Sequence, residues 1–117
     1  MSRSILVADD DAAMLTLYKR ILGANAYAIT QAATFTEAAR LIQANNYDLL
    51  ITDLMFPDGV GTDLIKLFEK KKEGAKSMLV TGSASELDPK LVQEVGCYFE
   101  KPFKIHVFMA AVEAALA

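Results

Sequence analysis

Carboxylate, hydroxyl and ammonium side chains stand at the ends of four short apolar runs in this sequence. The polar residues at these ends are Asp9, Asp10, Asp53, Thr81 and Lys101. Clustered carboxylates repel one another, and a hard divalent cation with oxygen ligands supplies the counter-charge that they need. Mg²⁺ suits a site that combines a few protein carboxylates with water molecules and a phosphate oxygen.

Phosphoryl transfer is the chemistry that this set of groups could support. Such transfer depends mainly on positioning and on stabilisation of charge, and a bound metal lets an acidic pocket accept an anionic phosphoryl group. An aspartate can act as the covalent acceptor. The ammonium group of Lys101 can balance negative charge, and the Thr81 hydroxyl can donate a hydrogen bond to a phosphate oxygen.

Apolar blocks alternate along the chain with segments of helical spacing, and this order predicts the fold. The blocks predicted as strands are residues 5–8, 28–33, 47–52, 77–81 and 98–100. A helical segment follows each block, the fourth over residues 88–95, so we predict five strands and five helices. This alternation favours an α/β fold in which helices cover both faces of a doubly wound, five-stranded parallel sheet.

The predicted sheet would bring the polar residues together. In open parallel sheets, ligands bind beyond the carboxyl ends of the strands, and the five polar residues all stand at such ends. We therefore expect one pocket with three carboxylates, a hydroxyl and an ammonium group. Asp11 is expected to begin the first helix as its N-cap, and we leave it out of the metal site.

Composition limits the class of protein. The 117 residues are the length of one domain, 53% of them are apolar, and the net charge is −3. This charge does not indicate a nucleic-acid-binding surface, and the apolar stretches are too short to span a membrane. The four apolar residues before the acidic run make no signal peptide, and Cys97 is a single cysteine. We expect residues 1–117 to form a single cytoplasmic domain that does not associate with membranes.

Four motifs resemble those of the response-regulator receiver domains of two-component signalling systems. The motifs are ILVADDD, DLLITDLMFPDGVG, MLVTG and YFEKPF, and the resemblance spans the whole chain. It implies a flavodoxin-like sheet with the strand order 2-1-3-4-5. It also implies a signalling domain that is not an enzyme in the usual sense, since it catalyses only its own phosphorylation and dephosphorylation.

The resemblance assigns roles in phosphoryl transfer to individual residues. It implies that Asp53 is the phosphoacceptor and that Thr81 and Lys101 contact the phosphoryl oxygens. Tyr98 falls on the aromatic switch position of the family. The peptide bond between Lys101 and Pro102 is a candidate for the cis conformation, as is typical of the family.

The resemblance also implies a set of ligands for Mg²⁺. Asp10 and Asp53 would bind the metal directly, and Asp9 would act largely through water. The backbone carbonyl of Met55 would complete the protein ligands.

The mechanism implied by the resemblance is a phosphorylation switch. The phosphohistidine of a histidine kinase, or of a phosphotransfer protein in a phosphorelay, donates to Asp53. Thr81 then moves inward, Tyr98 follows, and the face formed by helix 88–95, the last strand and the last helix changes. The implied partners are that phosphoryl donor and a downstream protein target or fused output domain, with no direct contact of this domain with nucleic acid.

One departure from the family pattern concerns the region of the predicted helix 88–95. The spacing between Thr81 and Lys101 is shorter than is common in the family. The shortening falls on this helix and the loop after it, so it affects the usual signalling face more than the chemistry.

Three other interpretations stay open at this point. A haloacid-dehalogenase-like phosphatase would use Asp9 as its nucleophile, but the threonine or valine expected after the acidic run is Ala13. A flavodoxin-type binding module would need a phosphate-binding loop where the three aspartates stand. An unphosphorylated pseudo-receiver scaffold would need one of the chemical positions to be vacant, and all are filled.

Overall fold

Strands and helices alternate through residues 3–82, 90 and 97–117, which the computed structural model describes. The strands are β1 (Ser4–Ala8), β2 (Ala28–Ala32), β3 (Leu49–Thr52), β4 (Met55–Phe56), β5 (Gly59–Val60), β6 (Lys76–Thr81) and β7 (Tyr98–Glu100). The helices are α1 (Ala12–Gly23), α2 (Phe35–Ala44), α3 (Gly61–Lys71) and α4 (Ile105–Leu116). The predicted helix 88–95 lies outside the described residues except for Lys90, which is helical.

Five strands form one parallel sheet in the order β2-β1-β3-β6-β7. Counted along the chain, these are the five predicted strands, so the predicted order 2-1-3-4-5 and the α/β fold are confirmed. Their ends agree with the predicted ones to within two residues. Because the strands are parallel, their carboxyl ends meet at one edge of the sheet.

A two-stranded antiparallel pair, β4 with β5, interrupts the connection between β3 and α3 and was not predicted. The Asp58 carboxylate in its turn accepts hydrogen bonds from the backbone N–H groups of Phe35 and Thr36, both at 3.0 Å. A Cβ atom on Gly59 would lie 2.4 Å from the Phe35 ring. The turn is therefore fixed closely against the first residues of α2.

Two hydrophobic clusters lie on the two faces of the sheet. Leu6, Leu50 and Leu79 point to the cluster that includes residues of α2 and α3. Their strand neighbours, such as Val7 and Ile51, point to the cluster that includes residues of α1 and α4. Because both faces are covered, the central strands β1, β3 and β6 are apolar at consecutive positions, as the sequence predicted.

The first helix begins where the sequence predicted. The side chain of Asp11 accepts a hydrogen bond from the backbone N–H of Ala13 at 2.9 Å, so Asp11 is the N-cap of α1. In the part of the chain that the structure describes, no helix combines the length and the apolar character that a membrane span needs.

Candidate functional site

Asp9 and Asp10 follow β1 directly, and they differ in exposure to solvent. The backbone N–H of Asp9 donates to the carbonyl of Ala32 at 3.0 Å, which extends the pairing of β1 with β2 by one residue. The Asp9 side chain is 1% exposed, and its Oδ1 accepts a hydrogen bond from the Asp11 N–H at 2.9 Å. Asp10 is exposed to solvent. One carboxylate is thus held inside the protein and the other is open to a ligand.

Asp53 follows β3 at the same edge of the sheet. Its backbone N–H donates to the carbonyl of Ala8 at 2.9 Å, and its Oδ1 accepts a hydrogen bond from the Leu54 N–H at 2.8 Å. Carboxylate oxygens of Asp9, Asp10 and Asp53 lie within 4.8 Å of one another. The fold therefore brings the three predicted carboxylates into one cluster.

Lys101 lies between two of these carboxylates. Its Nζ is 2.9 Å from Oδ2 of Asp9 and 3.5 Å from Oδ2 of Asp53. The Lys101 N–H donates to the carbonyl of Thr81 at 2.9 Å, which continues the β6–β7 pairing. The Lys101–Pro102 peptide bond is cis, as predicted.

The ionisation of Asp53 and Lys101 reflects this arrangement. Burial raises the pKa of Asp53, and the charge of Asp9 raises it further, although the Lys101 ammonium opposes both. Burial alone would lower the pKa of Lys101, but its hydrogen bond to Asp9 and the charges of both aspartates raise that pKa overall. A charged lysine is thus stabilised beside Asp9 and Asp53, and one ammonium group does not balance the three carboxylates of the cluster.

The other predicted residues lie around this cluster. Thr81 is the last residue of β6 and is 1% exposed. Met55 begins β4, two residues after Asp53, and its side chain points largely to solvent. Tyr98 begins β7, the strand at one edge of the sheet, opposite Leu79 of β6, and is 42% exposed.

Gly61 and Thr52 support the backbone of Asp53, and the sequence reasoning gave neither of them a role. A Cβ atom on Gly61 would lie 1.9 Å from the carbonyl oxygen of Asp53. The Thr52 hydroxyl donates to the same oxygen at 2.8 Å. Gly61 stands in the sequence where a short loop meets a predicted helix. This position could have indicated the close contact, because a glycine permits two backbones to approach each other closely.

The donor set fits a hard divalent cation. Three carboxylates offer oxygen ligands, and Asp10 is exposed to solvent, which Mg²⁺ requires because it retains several of its water molecules. Among the described residues, the cluster contains three carboxylates and no histidine or cysteine. It therefore does not resemble a zinc site.

The chain is similar to two transcriptional regulators over part of their length. The chain is 30% identical to the alkaline phosphatase synthesis transcriptional regulatory protein PhoP of Bacillus subtilis, over 99% of this chain and 49% of PhoP. It is 29% identical to the DNA-binding transcriptional regulator NtrC of Azospirillum brasilense, over 97% of this chain and 24% of NtrC. The chain thus spans about half of the first relative and about a quarter of the second.

Solved structures of receiver domains superpose closely on this chain. The CheY-like receiver domain protein of Methanospirillum hungatei gives a TM-score of 0.91 at 30% identity, covering 99% of this chain and 94% of that one. The response regulator TrrA of Thermotoga maritima, solved in complex with Mg²⁺ and beryllofluoride, gives a TM-score of 0.88 at 29% identity, covering 97% of this chain and 99% of that one. The model of the response regulator receiver domain matches residues 5–113 of this sequence, and the chain therefore belongs to that family.

Proposed function

We propose that this chain is a signalling switch controlled by Mg²⁺-dependent phosphorylation of Asp53. The observation that carries the proposal is the cluster of the Asp9, Asp10 and Asp53 carboxylates, two of which, Asp9 and Asp53, also contact the ammonium group of Lys101. Membership of the receiver family supports it, because receiver domains serve two-component systems as phosphorylation switches.

Asp53 is a better phosphoacceptor than Asp9 on the basis of exposure and hydrogen bonding. Both oxygens of Asp9 are engaged, Oδ1 by the Asp11 N–H and Oδ2 by Lys101 at 2.9 Å, and its side chain is 1% exposed. The Asp53 side chain is 13% exposed, and its Oδ2 is 3.5 Å from the same ammonium group. These contacts disfavour the phosphatase interpretation, in which Asp9 would be the nucleophile.

The proposed reaction is an in-line transfer from a phosphohistidine to Asp53. A carboxylate oxygen of Asp53 forms a bond to phosphorus while the bond from phosphorus to the donor imidazole nitrogen breaks, and the imidazole leaves. Lys101 then pairs with a phosphoryl oxygen, and the Thr81 hydroxyl donates a hydrogen bond to another. Both groups act by offsetting charge that the acidic pocket would otherwise repel.

Mg²⁺ fits the same cluster and would neutralise charge on the carboxylates and the phosphoryl oxygens. Asp10 and Asp53 would hold it directly, Asp9 through water, and the Met55 carbonyl would complete the protein ligands. The acidic pocket of the receiver family binds Mg²⁺, and the structural relative TrrA was solved with Mg²⁺ and beryllofluoride.

The output of the proposed switch is a change in binding. Phosphorylation would draw Thr81 toward the phosphoryl group and move Tyr98 inward from its exposed position on β7. Ile105 and Val107 of α4 are also exposed, at 44% and 46%. The partner that binds the changed face would be a downstream protein or a fused output domain.

The proposed partners follow from family membership. A sensor histidine kinase or phosphotransfer protein would supply the phosphoryl group in the cytoplasm. PhoP is a transcriptional regulatory protein, and NtrC is a DNA-binding transcriptional regulator. This chain matches only part of each relative, and we propose that it does not itself contact nucleic acid.

Phosphorylation with acetyl phosphate and Mg²⁺ tests the proposal. Intact-mass measurement should show a gain of one phosphoryl group in the wild type and none in Asp53→Asn. Asp63→Asn is the matched control, because Asp63 is an exposed aspartate in the first turn of α3, and it should be phosphorylated normally. Stoichiometric phosphorylation of Asp53→Asn would contradict the acceptor assignment, and no uptake by the wild type, with no binding of beryllofluoride, would favour the pseudo-receiver.

A further inference from the structure

The hydroxyl group of Tyr18 is buried in the core, and the residues that the structure describes offer it no hydrogen bond. Tyr18 lies on the inner face of α1 and is 1% exposed. Its ring packs against Phe108 of α4 and Phe103, with ring centroids 5.7 Å and 6.4 Å away. Within the described residues, no protein atom forms a hydrogen bond with its Oη. A buried donor is normally paired, so this hydroxyl needs an explanation.

Tyr18 packs on the face of the sheet to which the Asp9 side chain points. Its pKa is raised first by burial and then by the negative charges of Asp9 and Asp53. Side chains of a helix tilt toward its N-terminus, and α1 begins three residues after Asp9. Phe103, on which the Tyr18 ring stacks, is two residues after Lys101. Val7 of β1 belongs to the same hydrophobic cluster as Tyr18, and Asp9 continues this strand two residues later, so the Asp9 side chain lies on the face that α1 covers.

One carboxylate oxygen of Asp9 receives its hydrogen bond from Lys101. Its Oδ1 is bonded to the Asp11 N–H, and its Oδ2 is bonded to the Lys101 Nζ at 2.9 Å. A carboxylate that is almost completely buried destabilises the protein when it loses a donor. If Lys101 turns to a phosphoryl oxygen, the Oδ2 atom of Asp9 needs a replacement.

We propose that Tyr18 is a positioning residue whose hydroxyl donates a hydrogen bond to Asp9 when Lys101 leaves it. The Tyr18 hydroxyl, which has no partner among the described residues, would thereby replace the Lys101 ammonium as the donor to Oδ2 of Asp9. The departure of Lys101 rests on the proposed function, but the exchange of donors can be tested without phosphate or metal. Tyr18 then holds the Asp9 carboxylate in place, and Lys101 is free to pair with the phosphoryl group.

A double-mutant cycle in the metal-free protein tests the exchange. In the wild-type background, Tyr18→Phe should leave the free energy of unfolding unchanged or raise it, because it removes an unpaired buried hydroxyl. Lys101→Met removes the competing ammonium and keeps a side chain of similar size. In that background, Tyr18→Phe should lower the ratio of folded to unfolded protein about tenfold, which corresponds to about 1.4 kcal/mol.

Tyr27→Phe is the matched control for this cycle, because Tyr27 is only partly buried and packs beside the same cluster. It should have the same effect in both backgrounds. Equal effects of Tyr18→Phe in the two backgrounds, measured by denaturant unfolding, would overturn the proposal.

Binding of Mg²⁺ with beryllofluoride gives a second test that does not require Lys101→Met to fold. Tyr18→Phe should weaken beryllofluoride binding about tenfold, and Tyr27→Phe should not change it. Binding that is equal in Tyr18→Phe and wild type would overturn the role of Tyr18. Absence of binding to the wild type would instead overturn the proposed function, and the metal-free cycle would still decide the role of Tyr18.

Discussion

The two ends of strand β3 each carry an aspartate, and the two carboxylates lie in opposite electrostatic environments. Asp48, just before the strand, accepts hydrogen bonds from the Ser4 N–H at 2.8 Å and the Ser4 hydroxyl at 3.3 Å, with Arg3 and Lys72 each 3.9 Å away. The Ser4 N–H, more than any other group, lowers the pKa of Asp48. Burial raises the pKa of Asp53 at the other end.

The difference separates a structural aspartate from a functional one. The charge of Asp48 is matched by groups of the protein, so it ties β3 to β1 and needs nothing further. Asp53 shares one ammonium group with Asp9, and Asp10 adds a third carboxylate within reach. The carboxyl end of the sheet is therefore short of positive charge, and a cation from solution can supply it.

The largest effect is expected from the close backbone contact at the Asp53 end. Gly61→Ala should lower the free energy of unfolding by about 3 kcal/mol, because the new Cβ meets a backbone carbonyl that cannot rotate away. Gly23→Ala, at a position with open space around it, should leave stability unchanged or raise it by about 0.5 kcal/mol. Denaturant unfolding measures both, and equal values would contradict the contact.

Removal of a metal ligand should have the next largest effect. Asp10→Ala should abolish stabilisation by Mg²⁺, which amounts to about 2.7 kcal/mol at 100 times the Kd, and should stabilise the metal-free protein by relieving repulsion. Thermal unfolding with Mg²⁺ and with chelator measures this. Asp11→Asn is the control, because asparagine also caps helices and Asp11 is outside the cluster. A lower melting temperature for metal-free Asp10→Ala would count against the repulsion argument.

Neutralising the aspartates at the two ends of β3 should have opposite effects on the metal-free protein. Asp48→Asn should lower the free energy of unfolding by about 1 kcal/mol, because hydrogen bonds to a charged acceptor are weakened. Asp53→Asn should raise it or leave it unchanged, because the ionised carboxylate is partly buried among like charges. Chemical unfolding in the presence of a chelator compares the two variants. If both variants lost the same stability, the contrast between the two ends would be wrong.

The pH dependence of these differences should be the smallest effect, below about 1 kcal/mol. Asp48 has a folded-state pKa below its ordinary value of about 4, so its stabilisation is complete above that value and is lost as the pH falls through the lower pKa. Asp53 has a raised folded-state pKa, so its penalty is present above that pKa and disappears as the pH falls toward about 4. The free energy of unfolding of each asparagine variant is measured without metal at several pH values and subtracted from that of the wild type. The two differences give the separate contributions of Asp48 and Asp53. A stabilisation by Asp48 that grows on acidification would reverse the assignment.

The three central strands of the sheet were predictable because they are buried on both faces. Residues of β1, β3 and β6 are apolar at consecutive positions, and each block ends in a polar residue. The short pair β4–β5 was missed because its pairing comes from a two-residue turn whose Asp58 is bonded to a distant helix end. Such a contact between residues 23 positions apart leaves no periodic pattern in the chain.

Of the site, the types of the residues were predictable and their environments were not. The family resemblance implied different roles for the adjacent Asp9 and Asp10, but only the structure shows that Asp9 is buried and bonded to Lys101 while Asp10 faces solvent. Tyr18 is one of the residues that recur at helical spacing in α1, and this pattern predicts only that it packs in the core. That its hydroxyl has no hydrogen-bond partner in the described part of the chain can be seen only from the positions of its neighbours.

The sequence alone determined the order of strands and helices and the set of carboxylates, hydroxyl and ammonium at the strand ends. These follow from local patterns, since burial on two faces selects apolar runs and the polar residues mark where the strands stop. Only the tertiary structure decided which carboxylate is buried, which two carboxylates share Lys101, and which buried donor has no partner among the described residues. Those properties depend on distances between residues far apart in the chain, because burial and Coulomb interactions act through space and not along the sequence.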